Sequence, residues 1–189
     1  FEAYQIDHSQ SLINAKKFIH EAGCNAVKIE WFGKCIEVVQ MISKSGIPVM
    51  GHIGLTPQRA QELGGFKVQG KNADSARDLI KQAELLEEAG CFSLVLECVP
   101  DKISEIITKK IKIPTIGIGA GPRCDGQVLV INDMLGLFDR YTPKFVKKYA
   151  DLSSLMLAAI KEYKKDVIEI RFPAEEHSFK ISEEELKKL

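Results

Sequence analysis

The 189-residue sequence carries no excess of either charge: Lys plus Arg number 26, and Asp plus Glu number 26. That balance removes the electrostatic ground for nucleic acid or an anionic membrane as a partner, since both require a basic face. Nowhere do 18 apolar residues run together, so no membrane-spanning helix is expected. The first residues show no signal-peptide pattern either. Cysteine is sparse and unpaired: Cys24, Cys35, Cys91, Cys98 and Cys124 are odd in number and never form Cys-x-x-Cys. A disulfide framework or paired-Cys zinc site is thereby disfavoured. A reducing, cytoplasmic compartment is expected, with most thiols acting as small core residues. His-Glu-x-x-His, a Ser/His/Asp order and a nucleophile elbow are also missing, which leaves zinc peptidases and serine hydrolases without support. One Gly-rich stretch, 117–122 (GIGAGP), fails the dinucleotide fingerprint, because Pro122 stands where a third Gly is needed and no long helix pattern follows. Its expected role is to bring backbone close to a ligand mouth, or to turn a strand.

What is present describes an ordinary globular chain, 45% hydrophobic and 28% charged, long enough to bury a sizeable core. Short β-branched runs at 26–30, 47–54, 93–99, 113–121 and 127–133 predict strands buried on both faces. Helical spacing intervenes: Ala15, Phe18, Ile19 and Ala22 ahead of Gly23, then Ala76, Leu79, Ile80, Ala83 and Leu86 ahead of Gly90. Asp151 is placed to cap a helix carrying Leu155, Ala159 and Tyr163. Alternating strand and helix predict a parallel α/β fold. An internal echo sharpens this. Residues 21–30 read EAGCNAVKIE and 88–97 read EAGCFSLVLE; both pass from helix end through Gly and Cys into a strand ending in Glu. A repeated unit of this kind favours a (β/α) barrel over an open sheet, against the plainer alternative of coincidence in a common helix-to-strand turn. No linker is visible. Residues 1–179 are expected to form one barrel domain, and 180–189 (KISEEELKKL) a charged, helical surface tail.

In α/β barrels the active site lies at the carboxyl ends of the strands, and there the polar residues of this chain gather. Lys28 and Glu30 stand two apart on one strand and so share a face. His52 falls near the end of the next strand, and Glu97 ends the one that echoes Glu30. Singly, each has an ordinary role: a strand-end Glu caps a helix or pairs with a Lys, and a His packs. Their convergence at one mouth is the candidate site. Carboxylates without a His/Cys cluster suit a hard cation such as magnesium.

Several stretches taken together resemble the ketopantoate hydroxymethyltransferase (3-methyl-2-oxobutanoate hydroxymethyltransferase) family. They are AVKIE (26–30), GHIGLTPQ (51–58), GGFKVQGK (64–71), LVLECVP (94–100), IPTIGIGAG (113–121), DGQVLV (125–130), PKFVK (143–147) and EEHSF (175–179). The resemblance implies a (β/α)8 TIM-type barrel of the phosphoenolpyruvate/pyruvate class. It implies transfer of a hydroxymethyl group from 5,10-methylenetetrahydrofolate to 3-methyl-2-oxobutanoate, giving 2-dehydropantoate, by metal-assisted enolisation and aldol-type addition. It assigns Glu30 to Mg2+, Lys28 and His52 to the 2-oxo acid, and Glu97 to proton abstraction; no folate-binding residue is assigned. It also implies a homo-oligomer with small-molecule partners only. Two departures accompany it. Trp31 and Phe32 follow Glu30 where the family usually has two Gly, so the site mouth is expected to be narrowed or the next helix repacked. The family's first strands, roughly three, with two Asp metal ligands and a substrate-binding Ser, would lie upstream of Phe1. These 189 residues alone are therefore expected to be inactive and prone to aggregate through open strand edges. Two other readings stay open: an inactive relative serving as an assembly subunit, and a carbon–carbon lyase or mutase of the same barrel class.

Overall fold

The computed structural model describes residues 2–138 and 141–189. Helix α1 (His8–His20) starts where the Asp7 carboxylate accepts from the Gln10 N–H at 3.0 Å. It is followed by β1 (Val27–Glu30), α2 (Cys35–Lys44), β2 (Val49–Gly54), α3 (Ala73–Glu88), β3 (Cys91–Glu97), α4 (Asp101–Lys110), β4 (Thr115–Ile118) and β5 (Gly126–Gln127). Helix α3 opens with a full capping box between Asn72 and Ser75. The echo holds in three dimensions: Gly23 and Gly90 both take positive φ, 69° and 99°, and both units end their strands in Glu.

All strand pairs are parallel, and the order is β1-β2-β3-β4-β5. Each strand thus lies beside its successor, as in a (β/α) barrel; a doubly wound sheet would reverse direction at a switch point. The expected α/β class and barrel-type progression are what the structure holds. Parallel strands bury both faces, so β2 and β3, central in the sheet, read as continuous apolar runs: Val49, Ile53, Leu94 and Leu96 are fully buried. Val38, Val39 and Ile42 of α2, Ala83 and Leu86 of α3, and Ile107 of α4 complete the core. The sheet carries His52 and the two strand-end carboxylates at neighbouring positions, because Glu30 pairs with His52 and Gly54 with Glu97 in register.

The chain divides into two compact units, Phe1–Leu129 and Val130–Leu189. The second unit carries α5 (Ile131–Met134), α6 (Leu152–Ile168) and α7 (Glu183–Leu186). Three sequence expectations are corrected. The strand expected at 127–133 is reduced to the two residues of β5, and Ile131–Met134 is helical. An edge strand has one neighbour to pair with, and Val128, Val130 and Ile131 find no apolar cover. Asp151 does stand at the N-cap of α6, but its side chain makes no capping bond. Only Glu183–Leu186 of the charged tail is helical, started by Ser182 accepting from the Glu185 N–H at 3.3 Å.

Candidate active site

Register does the first part of the assembly. With side chains alternating along each strand, Glu30 at the end of β1 and His52 on β2 sit opposite one another, and Glu97 ends β3 on the far side of His52. The imidazole is 1% exposed and lies between two carboxylates. Its Nε2 is 3.1 Å from Glu97 Oε2, and its Nδ1 is 3.9 Å from Glu30 Oε1. Neither ring nitrogen completes a well-aligned hydrogen bond despite full burial. Unspent hydrogen-bonding capacity of this kind in a buried polar group points to function, and catalytic bonds often tighten only around a substrate.

Glu30 is held from two sides. Its Oε2 accepts from the Gln58 backbone N–H at 3.1 Å, and its own N–H donates to the Tyr4 hydroxyl oxygen at 3.1 Å. Tyr4 in turn donates to Gln58 Oε1 at 3.3 Å. Burial pushes the Tyr4 phenol up to about 12, so the hydroxyl stays protonated and keeps both roles at neutral pH. Neither Tyr4 nor Gln58 could be picked from spacing; they reach Glu30 from segments 26 and 28 residues distant in sequence, Gln58 from a short 3-10 turn at Pro57–Arg59.

Glu97 is placed by its backbone. Gly54, with φ of 91°, lets the end of β2 run so close that a Cβ there would stand 2.2 Å from the Glu97 carbonyl oxygen. That oxygen accepts from the Leu55 N–H at 2.8 Å. Just beyond, Gly121 turns the chain after β4 against Asp101, where a Cβ would meet the Asp101 Cβ at 2.5 Å. The GIGAGP stretch therefore serves as a turn beside the site.

The structure brings Glu30, His52 and Glu97 together. Lys28, two residues before Glu30 on β1, is exposed, pairs in register with Met50, and forms no ion pair among the described residues. It lines a cavity of about 260 Å³ with Tyr4, Asn14 and Gln58. The two aromatics after Glu30 do not crowd His52. Phe32 is buried and packs on Tyr4 with ring centroids 5.6 Å apart, while the Trp31 N–H donates to the His52 carbonyl at 2.8 Å and its side chain packs against the main core. Three of the five cysteines are buried and all are free. Burial raises the thiols of Cys35 and Cys91 to about 11 and about 12, as expected of packing residues. No helix among the described residues is long and apolar enough to cross a membrane.

Parallel strands ending in a carboxylate–imidazole–carboxylate group define a class, an α/β enzyme with acid–base groups at the carboxyl ends of its strands. The comparisons with known proteins narrow it. The family model described as ketopantoate hydroxymethyltransferase matches residues 1–175. A protein of Syntrophomonas wolfei named 3-methyl-2-oxobutanoate hydroxymethyltransferase is 53% identical over all of this chain and 68% of its own length. One of the same name from Clostridium botulinum is 54% identical, over all of this chain and 69% of its own. The chain belongs to the ketopantoate hydroxymethyltransferase family, a family of transferases. Likeness to solved structures is slight. A 3-dehydroquinate dehydratase from Geobacillus kaustophilus shares 12% identity at a TM-score of 0.41, over 84% of this chain and 62% of that one.

Proposed function

We propose that the protein transfers a hydroxymethyl group from 5,10-methylenetetrahydrofolate to 3-methyl-2-oxobutanoate, forming 2-dehydropantoate, with Glu97 as the proton acceptor. The observation supporting this is the buried His52 imidazole 3.1 Å from Glu97 at the strand ends. In the proposed step the C3–H bond of the 2-oxo acid breaks and its proton passes to Glu97. The electron pair delocalises into the adjacent carbonyl, and C3 then bonds the folate-borne carbon. The carbon sheds one folate nitrogen as C3 attacks and the other as water supplies the hydroxyl, and the proton taken from C3 and one from water end on the two nitrogens. His52, whose Nε2 can donate to the carboxylate, holds the base in line. Glu30 is restrained by Tyr4 and Gln58, and Lys28 is assigned to the 2-oxo acid, adding positive charge beside the developing enolate.

Magnesium enters this reading through the family resemblance alone. Among the described residues no group of three or more His, Cys, Asp or Glu is placed to hold a metal ion. One oxygen of Glu30 is already engaged by the Gln58 N–H. These residues do not by themselves make a magnesium site, and no step is routed through one. A catalytic domain over 1–179, self-association and a cytoplasmic compartment belong to the same proposal; five free cysteines support the last. The test is exchange of the C3 proton of 3-methyl-2-oxobutanoate with deuterated water, followed by NMR. Glu97→Gln is expected to slow exchange by about 10²–10⁴-fold with substrate binding retained. Unchanged exchange would remove Glu97 from the base role.

A further inference from the structure

The residue after Glu97 is a cysteine in a conformation that cysteines avoid. Cys98 has a φ of 51°, in the left-handed region, and it is one of only three non-Gly residues with positive φ among those described. Such backbone persists only where surrounding contacts over-determine it, and it gathers at functional sites. The Cys98 N–H donates to the Ile118 carbonyl at 2.9 Å, tying the turn to the end of β4. Its carbonyl accepts from the Gln69 N–H at 2.9 Å, tying it to the loop after β2. Its side chain is buried in a small cluster with Leu55 and Ala60. Immediately upstream, the Glu97 carbonyl is held by the Leu55 N–H across the close approach at Gly54.

Every backbone polar group flanking the Glu97 side chain on its C-terminal side is therefore spoken for. A chain continuing as extended strand past Glu97 could not turn at this point. We infer that Cys98 is a positioning residue: its left-handed backbone, not its thiol, aims the Glu97 carboxylate at His52. Burial keeps that thiol protonated, consistent with a role in packing. This rests on the reading of Glu97 as the base, but its structural half stands independently.

Three substitutions separate backbone from side chain. Gly and Asn tolerate the left-handed region and Val, branched at Cβ, does not. Crystal structures are expected to keep Glu97 Oε2 within hydrogen-bonding reach of His52 Nε2 in Cys98→Gly and Cys98→Asn, and to show it displaced in Cys98→Val. C3-proton exchange should stay within about threefold of the parent in the first two. It should fall by about 100-fold in the third with KM little changed, the scale of loss that follows a misplacement of about 1 Å. Val with Glu97 in place, or Gly and Asn with Glu97 displaced, would overturn the inference. Should Cys98→Val fail to fold, the Gly and Asn structures still decide it. If the full-length protein shows no exchange at all, the functional reading falls while the crystal structures continue to test the positioning.

Discussion

The two compact units of this chain are built on different physical principles. In Phe1–Leu129, α2 and α3 pack on the parallel sheet while α1 packs on α2 and α4 on α3, and every buried hydrophobic side chain described lies at or before Ala120. In Val130–Leu189, the 17-residue helix α6 buries none of its residues, and Leu155 is 65% exposed. Helical spacing alone thus does not report burial. The same apolar periodicity that packs α3 on β2 and β3 is carried by α6 on an uncovered surface. The first unit is stabilised chiefly by area removed from water, whereas α6 gains little from burial and keeps an aromatic contact, Tyr163 on Phe172 at 5.6 Å between ring centroids.

The largest expected contrast is between two leucines. Leu94→Ala, at a fully buried position in β3, should cost about 2–5 kcal/mol in denaturant unfolding. Leu155→Ala should stay within about 0.5 kcal/mol, as surface substitutions do. Equal losses at the two sites would erase the distinction between the units. The helix caps give a smaller version of the same test. Asn72→Ala removes the half of the capping box in which the Asn72 side chain accepts from the Ser75 N–H and should cost about 1 kcal/mol, whereas Asp151→Ala removes no capping bond and should change little. Smallest of all is a pH effect on α4. Lys109 and Lys102 hydrogen-bond the Glu105 carboxylate and lower it from 4.5 to about 2. A depressed carboxylate contributes stability above its unfolded value that is lost as pH falls through the folded one. A slight loss between pH 4.5 and 2 is therefore expected, weakened by salt because the pair is solvent-screened, and absent in Glu105→Gln. An acid titration of melting temperature at two salt concentrations would read it.

Much of this was legible beforehand, and for identifiable reasons. Strand and helix alternate with distinct periods, and positive-φ glycines such as Gly90 mark the joints, so four of the five strands and the three longest helices stand close to where periodicity puts them. The paired motifs ending in Glu30 and Glu97 marked two carboxylates at equivalent places in repeated units. Only register could set His52 between them, since a shift by one residue would turn it to the other face of the sheet. The fifth strand is shorter than its apolar run predicts because such a run signals burial only if something covers it, and β5 pairs with β4 alone.

By itself the sequence determined the class of fold and the order of its units, and it marked Glu30, His52 and Glu97 as candidates that converge, because each is written in local pattern and repeats. The tertiary structure alone decided that Tyr4 and Gln58 restrain Glu30, that Cys98 turns the chain behind Glu97, and that Lys28 is exposed while Glu30 is buried. Those facts depend on hydrogen bonds and backbone angles between segments distant along the chain, which no local pattern encodes.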